Sequence, residues 1–131
     1  MNLSDFRNDF STSAFKTIDG SRRIVGKFCD IELLDDGVCD IWLVRPDRES
    51  ISNRKLTSLI RGIEVLPEYS LAGRPLIRRL IGEAYLQTTD RELILKVALL
   101  AGVKRKRRVS EFNRRKQSEH LAGLRLRMEA D

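Results

Sequence analysis

Two five-residue segments share one pattern, Cys29-Asp30-Ile31-Glu32-Leu33 and Cys39-Asp40-Ile41-Trp42-Leu43, and they flank Asp35-Asp36-Gly37. Alternation of apolar and polar residues is the period of a half-buried β-strand, and the acidic-Gly break between the segments is a turn signal. The pattern also decides how the strands pair. A two-residue turn at Asp36-Gly37 would set Leu33 against Asp40 and Asp30 against Leu43, mixing polar and apolar residues on each face. A three-residue loop, Asp35 to Gly37 with Gly37 left-handed, sets Leu33 against Cys39, Ile31 against Ile41 and Cys29 against Leu43. One face is then wholly apolar, and the other carries Asp30, Glu32, Asp40 and Trp42. A slip of one residue would turn every side chain over, so the clean partition is the predicted one. In this register the two cysteines stand four positions apart along the ladder, too far for a disulfide, and both read as core thiols.

The rest of the chain supplies elements to cover that apolar face. Ser4 is placed to cap one helical turn that brings Phe6 and Phe10 together at i,i+4, and Asp19-Gly20 ends it as a turn. After the loop at Pro46 to Ser50, Asn53 opens a helix whose Leu56, Leu59, Ile60 and Ile63 follow i, i+3, i+4, i+7. Residues 66–80, broken by Pro67, Gly73 and Pro75, carry no clean period; Leu76 to Leu80 fits a helical turn or a strand. Ile81 to Gln87 reads as a third strand. Thr89 and Glu92 form the pattern of a capping box ahead of a core helix containing Leu93, Ile94, Val97, Ala98, Leu99, Leu100 and Ala101, with Gly102 as its stop. From Ser110 a second long helix is expected to about residue 128, polar over its first half.

Charge divides the chain sharply. Residues 104–131 hold ten of the 25 Lys and Arg and four of the 19 Asp and Glu, so they carry the entire net charge of +6. Residues 1–103, with fifteen of each sign, are neutral. Lys104, Arg105, Lys106, Arg107 and Arg108 are consecutive, and Arg114, Arg115 and Lys116 follow. Such an arm lowers its free energy by neutralising phosphates and releasing their condensed counterions. Arginine, which dominates it, suits bidentate phosphate contact. Arg114, Arg115 and Lys116 spread over more than half of a helix circumference, the arrangement of a backbone clamp. Near the arm Phe112 is the one aromatic residue, so a base-stacking platform is not expected there. In a eukaryotic host the same run would pass as a two-part nuclear import signal. The alternative use of such a run is a solvated tail that maintains solubility.

Within this region Val97-Ala98-Leu99-Leu100-Ala101-Gly102-Val103, followed by Val109-Ser110 and Asn113, resembles the helix-turn-helix of lactose-repressor-type regulators. The resemblance covers about seventeen residues, 93–113 at its widest, and implies that Arg107, Arg108, Ser110, Glu111 and Asn113 face a major groove. It departs from the pattern at Arg108 and Glu111, where buried apolar residues are usual.

The acidic hairpin face is a second candidate. Asp30, Glu32 and Asp40 are expected within about 5–7 Å of one another across adjacent strands. Magnesium-dependent nucleases place carboxylates on strands in this way, often with a lysine, for which Lys27 is weakly placed. The same alternation is what the solvent side of a half-exposed sheet requires, and that is the reading preferred. The face, with Trp42, also suits a docked protein or the chain's own basic arm. His120 lies in the polar helix and both cysteines are buried, which leaves no nucleophilic triad and no zinc set.

The expected fold is therefore α+β: a small antiparallel sheet of three or so strands built on the hairpin at about 22–45, helices on one face, and a basic C-terminal helix. Residues 1–103 form a net-neutral domain and residues 104–131 a basic linker and helical arm. No apolar run approaches a membrane span and the N-terminus lacks the pattern of a secretory signal, so the expected compartment is the cytoplasm, nucleoid-associated or nuclear. The expected function is weakly sequence-specific binding of DNA or RNA, with no cofactor, no metal and no enzymatic activity. The nucleic-acid contacts expected are Lys104, Arg105, Lys106, Arg107, Arg108, Arg114, Arg115 and Lys116. The alternative is a small interaction or inhibitor protein, of a kind that suits a phage, docking on a macromolecular complex. A carboxylate-dependent nuclease stands third among classes, beside the helix-turn-helix regulator.

Overall fold

The computed structural model describes residues 3–34 and 36–106. The expected C-terminal helix from Ser110, with Glu111, Asn113, Arg114, Arg115, Lys116 and His120, lies outside the described residues, as do Arg107 and Arg108 of the basic run.

The sheet is larger than the three strands expected. It has six antiparallel strands: β1 (Phe15–Ile18), β2 (Ser21–Gly26), β3 (Cys29–Leu33), β4 (Cys39–Leu43), β5 (Arg78–Leu80) and β6 (Glu83–Thr88), in the order β1-β2-β3-β4-β6-β5. Two helices, α1 (Asn53–Glu64) and the short α2 (Pro67–Leu71), fill the connection from β4 to β5, and α3 (Arg91–Leu100) follows β6. The extra strands come from places without a long apolar period. Asp19 and Gly20, both at positive φ (51° and 77°), make the two-residue turn that pairs Ile18 with Ser21. That geometry matches strand twist, and it converts what reads as the end of a polar lead into a hairpin. β5, exposed at all three residues, is held by its pairing to β6 and by the Arg79 guanidinium, which donates to the Asn53 carbonyl at 3.1 Å.

The central hairpin has the predicted register: Leu33 pairs with Cys39, Ile31 with Ile41, Glu32 with Asp40 and Asp30 with Trp42. The Leu34 N–H donates to the Val38 carbonyl (2.8 Å) and Gly37 takes φ 83°, as the three-residue loop requires. Cys29, Ile31, Cys39, Ile41 and Leu43 are buried. Leu33 is the exception, half-buried at one end of its strand. Both thiols are free, and burial pushes each up to about 12.

Ile24, Ile31, Ile41 and Leu86 on this face meet Leu56, Leu59 and Ile63 of α1 and Leu93, Ile94, Val97 and Ala98 of α3 in one core. Phe6 and Phe10 close its open end, both fully buried, with rings stacked at 5.7 Å. Arg91 anchors that lead to α3: it bonds the Asp5 carbonyl at 3.1 Å, pairs with Asp9 at 2.9 Å, and sits 5.2 Å over the Phe6 ring. Asn53 opens α1 as expected, and Ser52 caps it by accepting from the Lys55 N–H. The cap of α3 differs from expectation by one residue. Asp90, not Thr89, caps α3 by accepting from the Leu93 N–H at 2.9 Å.

Candidate nucleic-acid interface

The route of the chain out of α3 fixes where the basic segment begins. Gly102 sits at φ 88°, the Val103 N–H returns to the Ala98 carbonyl (3.0 Å) and the Gly102 N–H to the Leu99 carbonyl (3.3 Å). These two bonds are the Schellman arrangement, which here buries Val103 against the core. The turn between β2 and β3 locks onto the same point. The Phe28 N–H donates to the Ala101 carbonyl (2.9 Å) and the Lys27 N–H to the Gly102 carbonyl (3.3 Å). A Cβ on Gly26 would lie 2.7 Å from the Val103 nitrogen, so only glycine admits this approach.

Beyond Val103 the chain runs extended along the N-terminal lead. Arg105 makes an antiparallel bridge with Phe10; the Ser11 N–H donates to the Lys104 carbonyl (2.8 Å), and the Lys106 N–H to the Asp9 carbonyl (3.1 Å). Lys104, Arg105 and Lys106 therefore have a fixed backbone and exposed side chains. They are placed among cations that come from elsewhere in the chain. Lys106 shares a cavity of about 630 Å³ with Arg7 and Arg22, and with Arg105 it lines a shallow groove beside Lys96. Asp9, also in that groove, is paired with Arg91. Arg7, Arg22 and Lys96 are not legible as site residues in the sequence. The signal that finds Arg22 is the Asp19-Gly20 turn, which sets it diagonal to Phe15 on one face of a hairpin.

The turn after α3 is the feature that carries the helix-turn-helix resemblance. Where that motif would open its second helix, residues 104–106 are extended and bridged to the lead.

The opposite face of the sheet holds the acidic candidate. Each carboxylate has a protein partner: Asp30 pairs with Arg23 at 2.9 Å, Glu32 accepts from the Ser21 hydroxyl at 2.8 Å, and Asp40 accepts from the Trp42 indole at 2.9 Å. Arg23 is raised further above its ordinary value, first by the hydrogen bond to Asp30 and then by the charges of Asp30 and Glu32 against the opposing effect of burial. Among the described residues no group of three or more His, Cys, Asp or Glu is disposed to hold a metal. Lys27 stands apart, its ammonium 5.4 Å over the Phe28 ring. The sequence gives no sign that Trp42 stacks on Tyr85, at 4.6 Å between centroids, because that contact is made by the long-range pairing of β4 with β6.

Among the described residues no helix is long and apolar enough to cross a membrane. Compared with known proteins, the chain matches no family model, no curated protein and no solved structure.

Proposed function

We propose that the protein binds nucleic acid through its cationic C-terminal segment, using the neutral α+β body as a rigid mount. The observation that carries this is the rooting of residues 104–106. Their backbone is bonded to the N-terminal lead, and Lys106 lines one cavity with Arg7 and Arg22 and, together with Arg105, a groove with Lys96. A mounted cationic cluster loses less side-chain and backbone freedom on binding than a loose tail does. Together with Arg107, Arg108, Arg114, Arg115 and Lys116 the cluster offers a run of phosphate contacts, a binding mode with little sequence preference.

The reading is tested by titrating the intact protein and a chain ending at Lys106 onto duplex DNA, single-stranded DNA and structured RNA at low salt. The intact protein is expected to bind and the shortened one to bind far more weakly. Absence of binding to all three by the intact protein would refute it.

A second reading, an interaction protein that docks on a macromolecular assembly, draws on a different surface. Val65 (79% exposed), Leu71 (84%), Leu76 (70%) and Ile81 fully exposed are large apolar side chains left in solvent. A tight complex with one macromolecule, abolished by Leu71→Glu and indifferent to the arm, would favour it.

A further inference from the structure

The cavity at the root of the basic segment has a chemistry that phosphate tracking does not use. Its walls come from six parts of the chain: the 3-10 turn Leu3–Phe6 and Arg7 after it, Thr12 ahead of β1, Phe15 in β1, Ser21 and Arg22 in β2, Leu33 at the end of β3, and Lys106. The rim carries three cations, Arg7, Arg22 and Lys106, with the hydroxyls of Ser4 and Thr12; the Ser21 hydroxyl is committed to Glu32. Among the described residues no carboxylate lines it. The floor is apolar, formed by Leu3, Phe15 and Leu33, and the Arg22 guanidinium lies 6.0 Å from the Phe15 ring centroid. Charge and an aromatic face thus share one wall.

From this geometry we infer that the cavity binds a nucleoside monophosphate unit, phosphate on Arg7, Arg22 and Lys106 and base against Leu3 and Leu33, beside the Phe15 ring that Arg22 covers. A volume of about 630 Å³ falls within the ~300–1,000 Å³ of small-molecule sites. Three cations without a lining acid favour an anionic occupant and disfavour the chain's own basic arm. A terminal phosphomonoester, at about −1.5 to −2, answers them better than a bridging diester, which carries one charge. A sugar phosphate would leave the apolar floor unmatched, whereas a base covers it with a flat face and can stack on the Arg22 guanidinium. Because Lys106 belongs both to the rim and to the basic run, a strand held by the arm can end in the cavity. The inference rests on the nucleic-acid reading for the polymer, and on the cavity alone for the nucleotide.

The test uses the full chain with three probes: a 12-nucleotide single strand with a 5′-phosphate, the same strand with a 5′-hydroxyl, and free adenosine monophosphate. The phosphorylated strand is expected to bind about ten times more tightly, and the monophosphate to compete for that increment alone. Arg22→Glu and Arg7→Ala, each checked for an unchanged thermal transition, should reduce the preference to about onefold, and Arg22→Lys should restore part of it. Equal affinity for the two strands with monophosphate binding lost in Arg22→Glu would assign the cavity to the free nucleotide. Monophosphate binding with no strand binding would uphold the cavity and remove the arm reading. Equal strand affinity with no monophosphate binding overturns the inference and leaves the arm reading standing. Binding of no probe at all removes both.

Discussion

At the scale of single residues, the cap of α3 separates two neighbours that look equally suited. Thr89 followed by Glu92 is the pattern of a capping box, yet Thr89 is exposed and Glu92 pairs with Arg91. Asp90 takes the cap because Thr88, paired with Cys39, is still the last residue of β6, and the Thr88 hydroxyl accepts from the Asp90 N–H at 3.1 Å. The strand ends one residue later than periodicity implies and the cap moves with it. Asp90→Ala should therefore destabilise the protein by about 1 kcal/mol, and Thr89→Ala by only a few tenths. Chemical denaturation of the two variants measures the difference; the reverse order would show that the helix begins one residue earlier.

At the scale of elements, the hairpin and β6, expected at Ile81 to Gln87 and found at Glu83–Thr88, were legible and the other strands were not, for one physical reason. Cys29 to Leu43 is a local unit whose two halves carry enough alternation to exclude the wrong register. β1 has four residues and β5 three, so neither presents a period, and both exist because a neighbour offers an edge. The pairing of β4 with β6 is separated in sequence by two helices, and with it the Trp42–Tyr85 stack. The docking of the β2–β3 turn on the end of α3 was equally hidden, because it depends on what Gly26 lacks. Gly26→Ala places a methyl 2.7 Å from the Val103 nitrogen and 2.9 Å from the Gly102 carbonyl carbon, both backbone atoms. It should lower stability by about 1–3 kcal/mol, as overpacking does. Because that contact orients the exit of the basic segment, the variant should also weaken nucleic-acid binding at temperatures where it remains folded. A fully stable Gly26→Ala protein would show that the turn and helix end do not meet.

At the scale of the whole molecule, the charge asymmetry is legible without any structure, since residues 104–131 carry all of the net +6. Where the folded body stops is less legible. Among the described residues Val103 is the last buried one, and the chain stays bonded to the lead through Lys106. A chain ending at Lys106 keeps these bonds, and one ending at residue 103 loses both the Lys104 and the Lys106 hydrogen bonds to the lead. Thermal unfolding of the two should place the second below the first. The central claim is that phosphate neutralisation by a mounted cationic segment drives binding. The most direct measurement of it is the association constant of the intact protein for duplex DNA from about 50 to 200 mM salt. With about four to six phosphate contacts, the slope of log K against log salt should be near −4 to −5, and Arg107→Ala with Arg108→Ala should flatten it by about one to two units. A slope near zero, or one that the double substitution leaves unchanged, would contradict the account.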